Sequence, residues 1–261
     1  MNTPAESTSC EIVLCVPGRW TDRSDLVRSI VEKSGGYLYA GQVLMHVETN
    51  ASFELLVEGP DDRMAEAFRA AGRHWIEEGD LELLRGHTHV LYLIAKAGSF
   101  ELAQAAMEAA DALLRAGGLA VKVETTGVAH RASTWHDLVE NRNPLSVFRA
   151  LVITAIGEPS YSCGMHNLGL RDAIVSDPQA KNVGALLGHF CLYHFTESPV
   201  LRSGETFALG PDEPIYRLEE EPCTIHDGAS SFRNPLGMWR LVPQRRSGFG
   251  AFLRRLTGGT G

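Results

Sequence analysis

The segment from His89 to Thr125 constrains this chain more than any other. His89–Ala95 is almost continuously apolar, the pattern of a strand buried on both faces and therefore placed in mid-sheet. Ser99 then offers an oxygen to the unpaired amides of a first helical turn. Phe100, Ala103, Met107, Ala110 and Leu114 recur on one stripe of that helix, and Gly117-Gly118 ends it. Leu119–Thr125 returns as a strand. Together with the strand pairs before and after it, this segment predicts an α+β chain with a mixed, largely antiparallel sheet and helices packed on it.

The preceding residues follow the same logic. Glu11–Val16 is a β-branched run meeting Pro17-Gly18, which predicts a strand ending in a turn. Thr21 and Asp22 can cap a helix carrying Leu26, Val27, Ile30 and Val31 on one face, stopped by Gly35-Gly36. Tyr37–Glu48 and Ser52–Glu58 read as two antiparallel strands joined through Thr49-Asn50-Ala51. Asp61-Asp62 can cap a helix with Met64, Phe68, Ala71 and Trp75 on one stripe. The order strand, helix, two strands, helix, strand matches a ferredoxin-like βαββαβ unit in the N-terminal half.

Further on, Trp135 falls in a short helix, and Phe148–Gly157 and Ser160–His166 read as a strand pair around Glu158-Pro159. Asp177-Pro178 predicts a helix start, with the helix running to about Phe195. Val183, Leu187, Phe190 and His194 form one face of it, and Gly184 and Gly188 leave a flat strip. Short segments near Thr206, Ile215 and Trp239 alternate with Pro and Gly. Arg142-Asn143-Pro144 is the best seam, dividing an α+β half at 11–142 from a second at 143–243 that shares one continuous fold with it. Residues 244–261 form a basic tail.

Charge narrows the partners. Lys and Arg number 24 against 32 Asp and Glu, a net −8. The residues after Asp227 are neutral or basic and carry six arginines; removing those six charges leaves the rest of the chain at −14. Such a body repels nucleic acid and speeds encounter with a basic protein partner. The tail alternates Arg245, Arg246, Arg254 and Arg255 with Phe249, Phe252 and Leu253, which suits docking to an acidic surface. A frayed, solubilising end is the alternative. No apolar run reaches the roughly 18 residues of a membrane span. No basic stretch precedes an apolar one at the N-terminus, and the five cysteines are odd in number without framework spacing. A reducing cytoplasm is expected.

Four sets of residues carry candidate chemistry. Cys163/His166 and Cys223/His226 are two Cys-x-x-His units that together match the donor set of a tetrahedral zinc site. On a strand, however, residues three apart point to opposite faces, so a bulge at Gly164 would be required. His87-x-His89 places two imidazoles on one face of a strand entrance, a metal-like pair or simply the cap of the strand. Cys163 or Cys191 with His130, His166 or His189 would make a nucleophile and base, since a neighbouring imidazole favours thiolate; the alternative is inert buried thiols. Glu124 and His130 flank Gly127 at a strand end, a place from which loops reach crevices or simply turn. Phosphate-cradling glycine loops and the Gly-x-Ser-x-Gly elbow are absent from the sequence.

Cys163-Gly164-Met165-His166-Asn167-Leu168-Gly169-Leu170, followed by Asp177-Pro178 and then Gly204-Glu205-Thr206-Phe207, resembles an uncharacterised bacterial domain-of-unknown-function family, number 4261. The likeness covers Glu11 to Val242 and implies an α+β bacterial cytosolic protein. It transfers no activity, cofactor or site residue. The sequence as a whole points to a non-enzymatic protein-binding module, immunity-like or regulatory, with an acidic body. The alternative is a thiol- or metal-dependent enzyme using Cys163, His166 and nearby histidines.

Overall fold

The computed structural model describes residues 10–72, 77–177 and 182–244. The first sheet is built from β1 (Glu11–Gly18), β2 (Tyr37–Ala40), β3 (Val43–His46), β4 (Ser52–Glu58), β5 (His89–Lys96), β6 (Ala120–Val123) and β7 (Val128–Arg131). Its strand order is β2-β3-β4-β5-β1-β6-β7, and every pairing in it is antiparallel. The apolar strand β5 sits in mid-sheet, as its composition requires. The arrangement is nevertheless not ferredoxin-like. That unit would place β1 between β4 and β5, whereas here β4 pairs with β5 and β5 with β1. The strand expected over Tyr37–Glu48 is two strands, because Gly41, at φ +64°, and Gln42 close a two-residue hairpin.

Five helices flank this sheet: α1 (Arg23–Lys33), α2 (Met64–Ala71), α3 (Glu78–Arg85), α4 (Phe100–Arg115) and α5 (Ala132–Glu140). Asp22 caps α1 through the Asp25 amide and Ser99 caps α4 through the Leu102 amide. Asp61 takes the Arg63 amide just ahead of α2, so the helix itself starts without a side-chain cap; Trp75 lies outside the described residues. The buried alanines at 103, 106, 109, 110 and 112 let α4 lie close on β1 and β5. Ser99→Ala removes the acceptor for one first-turn amide, and we expect a loss of about 1 kcal/mol in urea-induced unfolding.

Phe148–Gly157 is not a strand. Asn143 takes the Ser146 amide, Pro144 occupies the first turn, and α6 (Pro144–Leu151) follows, leaving only β8 (Ile153–Ala155) extended. The proposed seam is thus a helix cap. The second sheet adds β9 (Ser160–Cys163), β10 (Asp172–Val175), β11 (Thr206–Phe207), β12 (Tyr216–Glu221) and β13 (Met238–Pro243), in the order β11-β12-β13-β10-β9-β8. β10 and β13 run parallel, which makes the second sheet mixed, whereas the first is antiparallel throughout. Across them packs α7 (Val183–Glu197), which opens after Asn182 in a left-handed conformation and not at Asp177; Pro178 lies outside the described residues. Leu187, Phe190 and His194 are buried on its inner face, while a Cβ on Gly188 would meet nothing. One apolar core runs from Ile12 and Leu14 through Trp135 and Leu151 to Phe190 and Leu241.

Candidate functional site

The predicted thiol and imidazole residues meet in part. Gly164, at φ +111°, turns the chain out of β9 into a short 3-10 turn, Met165–Leu168, closed by Gly169 at φ +76°. His166 therefore stands on the turn and not on the strand. Asp172, the first residue of β10, organises the turn. It accepts from Ser162 Oγ at 3.0 Å, the Met165 amide at 3.2 Å and Asn234 Nδ2 at 2.7 Å. His166 is buried, with both ring nitrogens unpartnered; its Nδ1 is 3.9 Å from Asp172 Oδ2, outside hydrogen-bond reach. His226 lies within electrostatic reach of His166, and Cys223 of Cys163. The four side chains share a neighbourhood but not a focus. Cys163 Sγ is 3.6 Å from Phe232 O, Cys223 packs with Ile174 and Met238, and the His226 ring rests on Tyr161 and Phe232. Among the described residues no three His, Cys, Asp or Glu form a group that could hold a metal ion.

Burial also shapes the thiols. It pushes Cys163 up and away from thiolate, and Cys191, wholly buried on α7, up to about 12. His189 is exposed, with Nδ1 on its own helix at Ala185 O. His130 is buried against Trp135 and meets Ala150 O through Nε2; desolvation pushes its pKa down. Glu124 pairs with Lys122. The His87/His89 pair is divided between two cores. His87 accepts from the Asp61 amide beside α2 and α3, whereas His89 lies edge-on to Trp20.

His194 gives a pH signature. Desolvation, helped by Arg171, pushes it down to about 4 from an ordinary 6.5. The unfolded chain then binds the proton more readily, so stability is full above pH 6.5 and is lost as pH falls towards 4. Between pH 7.5 and 5.5 the wild type is expected to lose about 1 kcal/mol more than His194→Leu, measured by urea unfolding at both pH values.

A different part of the molecule presents a surface. The two faces of the first sheet follow from strand alternation and register. The inner face carries Leu14, Leu55, Leu91 and Leu93 under α4. The outer face is covered at one end, where α2 and α3 pack Met64, Phe68, Leu81 and Leu84 over Cys15, Val90, Ala120 and Ala129. Towards β2 no helix among the described residues packs on it. There Leu38 opposes Met45, and a row runs Val43, Glu54, Ile94, Val13 across β3, β4, β5 and β1. Leu38, Val43 and Met45 are 42%, 49% and 37% exposed. Antiparallel sheets that face water ordinarily put polar residues there; this strip is apolar instead. From β2 to β1 it spans four inter-strand spacings, about 19 Å, wide enough to seat a helix.

Charge on this face is one-sided. Glu11, Glu54 and Glu58 are exposed on it and form no ion pair among the described residues, against Lys96 opposite Glu11. Glu54 stands in the middle of the apolar row. Alternation within Tyr37–Glu58 could have been read from the sequence, but which face α2 and α3 leave bare could not.

No protein-family model matches this chain, and searches of curated proteins and of solved structures find no match. Among the described residues no helix is long and apolar enough to cross a membrane.

Proposed function

We propose that this protein is a non-enzymatic binding module that takes a basic protein onto the uncovered outer face of its first sheet, in the manner of an immunity or regulatory protein. The observation that carries the reading is the apolar strip Leu38, Val43, Met45, Ile94 with Glu54, which has no ion pair among the described residues, at its centre. A partner that buries the strip must neutralise that carboxylate, and a lysine or arginine does so with a charge-assisted hydrogen bond. A second copy of this chain would instead oppose Glu11, Glu54 and Glu58 to their own like. The resemblance to family 4261 belongs to this reading; it rests on Cys163–Leu170, Asp177-Pro178 and Gly204–Phe207, none of them in the strands of the uncovered face, so it bears on fold and not on partner.

The experiment is a paired capture from the native host with the wild type and Val43→Lys/Met45→Lys, both checked by circular dichroism. A basic protein recovered in stoichiometric amount by the wild type and lost by the folded variant is the expected result. Equal recovery by both, or no stoichiometric basic protein with either, contradicts the proposal.

A further inference from the structure

An open cleft of about 530 Å³ lies where α7 ends beside β11, the edge strand of the second sheet. Phe190, Tyr193, Val200, Leu201, Phe207 and Leu218 line it. The Phe207 ring stands edge-on to Phe190 at 5.1 Å and tilted on Tyr193 at 5.8 Å, so the wall is largely aromatic. Tyr193 is nevertheless 39% exposed and Val200 81%. Apolar groups gathered in one concave place and open to water favour an occupant that covers them.

The elements that wall the cleft carry carboxylates. Glu205 lines it, Glu197 closes α7 two residues ahead of Pro199 in the wall, and the loop from β11 to β12 holds Asp212 and Glu213. All four are exposed and none forms an ion pair among the described residues. Against them stands Arg202, whose amide donates to Glu205, while Arg217 is spent on Glu219. β13 leads the chain to the same place. Tyr216 of β12 pairs with Phe207 on one side and with Pro243 on the other, and the Gln244 amide donates to Ile215 O at 2.7 Å. Gln244 therefore stands two strand spacings, about 10 Å, from β11. Phe249 comes five residues later, within about 17 Å of extended chain.

We infer that the cleft is the seat of this chain's own segment 249–256, with Phe249, Phe252 and Leu253 on Tyr193, Val200 and Phe207. The segment, outside the described residues, has the matching chemistry. Phe249, Phe252, Leu253 and Leu256 fall at i, i+3, i+4 and i+7, the spacing of one helical face. Arg245 and Arg246 precede that set and Arg254 and Arg255 lie within it, four cations for the four unpaired carboxylates. Tethering decides between this occupant and a separate molecule. A segment joined to the protein so near the cleft is present at an effective concentration on the order of 1 mM, which a partner in solution does not reach.

Photocrosslinking of the full chain, with p-benzoylphenylalanine in place of Phe252, tests the assignment. The protein is irradiated at several concentrations, and the products are separated by size and mapped by mass spectrometry. Links within one chain to residues 190–207 are expected, in a yield that is independent of protein concentration and falls at least fivefold in Val200→Asp. Val200 is 81% exposed, and a thermal melt of Val200→Asp within about 2 °C of the unsubstituted protein excludes misfolding as the cause. Links between two chains, rising with concentration, would assign the cleft to a second copy. Links to another surface would place the segment elsewhere, and absence of links within the chain would leave the cleft to a separate partner. Each of these results, or a yield that Val200→Asp does not change, overturns the inference.

Discussion

Replacing Gly164 with alanine is expected to lower the unfolding free energy by about 4 kcal/mol or more, a large share of the 5–15 kcal/mol typical of a folded protein. Two costs add. At φ +111° an L side chain is strained, and a Cβ there would lie 2.2 Å from Leu151 O and 2.3 Å from Thr126 Cγ2. Leu151 ends α6 and its carbonyl cannot retreat freely, since it also accepts from Asn167 Nδ2. Asn167 in turn joins Thr125 Oγ1, so the strain reaches the loop between β6 and β7. Gly188→Ala is the control, in a helix with open space around it, and should gain about 0.5–1 kcal/mol. Thermal melts should separate the two by at least about 10 °C; a Gly164→Ala melt within about 2 °C of wild type would contradict this account of the turn.

The second large effect is on binding. Val43→Lys/Met45→Lys puts two cations on the apolar strip, where a basic partner would have to desolvate both and meet them with like charge. Loss of at least about 100-fold in affinity is expected, close to 3 kcal/mol. The residues point outward and are not part of either core, so stability should change little. Glu58→Gln, farther from the centre of the strip, should slow association and flatten its salt dependence, whereas Glu54→Gln should speed dissociation. Surface plasmon resonance at two salt concentrations separates these. A double variant that binds as well as wild type would exclude this face.

Local signals carried much of the fold. Ser99 ahead of Phe100 and Ala103 marked α4 to the residue, and the unbroken apolar run after His89 marked the central strand, because both depend on neighbours in sequence. Phe148–Gly157 misled for the opposite reason. Val152 and Ile153 favour strands, but Asn143-Pro144 had already started a helix, and capping fixed the first part of the segment. α3 carries Glu78, Asp80, Glu82 and Arg85 around only two buried leucines, too faint a stripe to stand out. Strand pairing was beyond reach, since nothing local tells β4 to join β5 in place of β1. The candidate surfaces depend on those long-range choices. Leu38 and Met45 become neighbours through the Gly41-Gln42 turn, but their exposure depends on where α2 and α3 come to rest. The Cys163/His166 and Cys223/His226 units were visible as spacing, but Gly164 and the 3-10 turn aim their side chains at different neighbours.

Side-chain footprinting of Met45 tests the binding account most directly. Hydroxyl radicals oxidise an exposed thioether readily, and Met45 is open to solvent in the free protein. In the stoichiometric complex with the captured basic protein, Met45 oxidation should fall at least fivefold while the wholly buried Met107 stays unreactive in both states. Unchanged oxidation of Met45 in that complex, with protection elsewhere on the surface, would show that the partner binds another face.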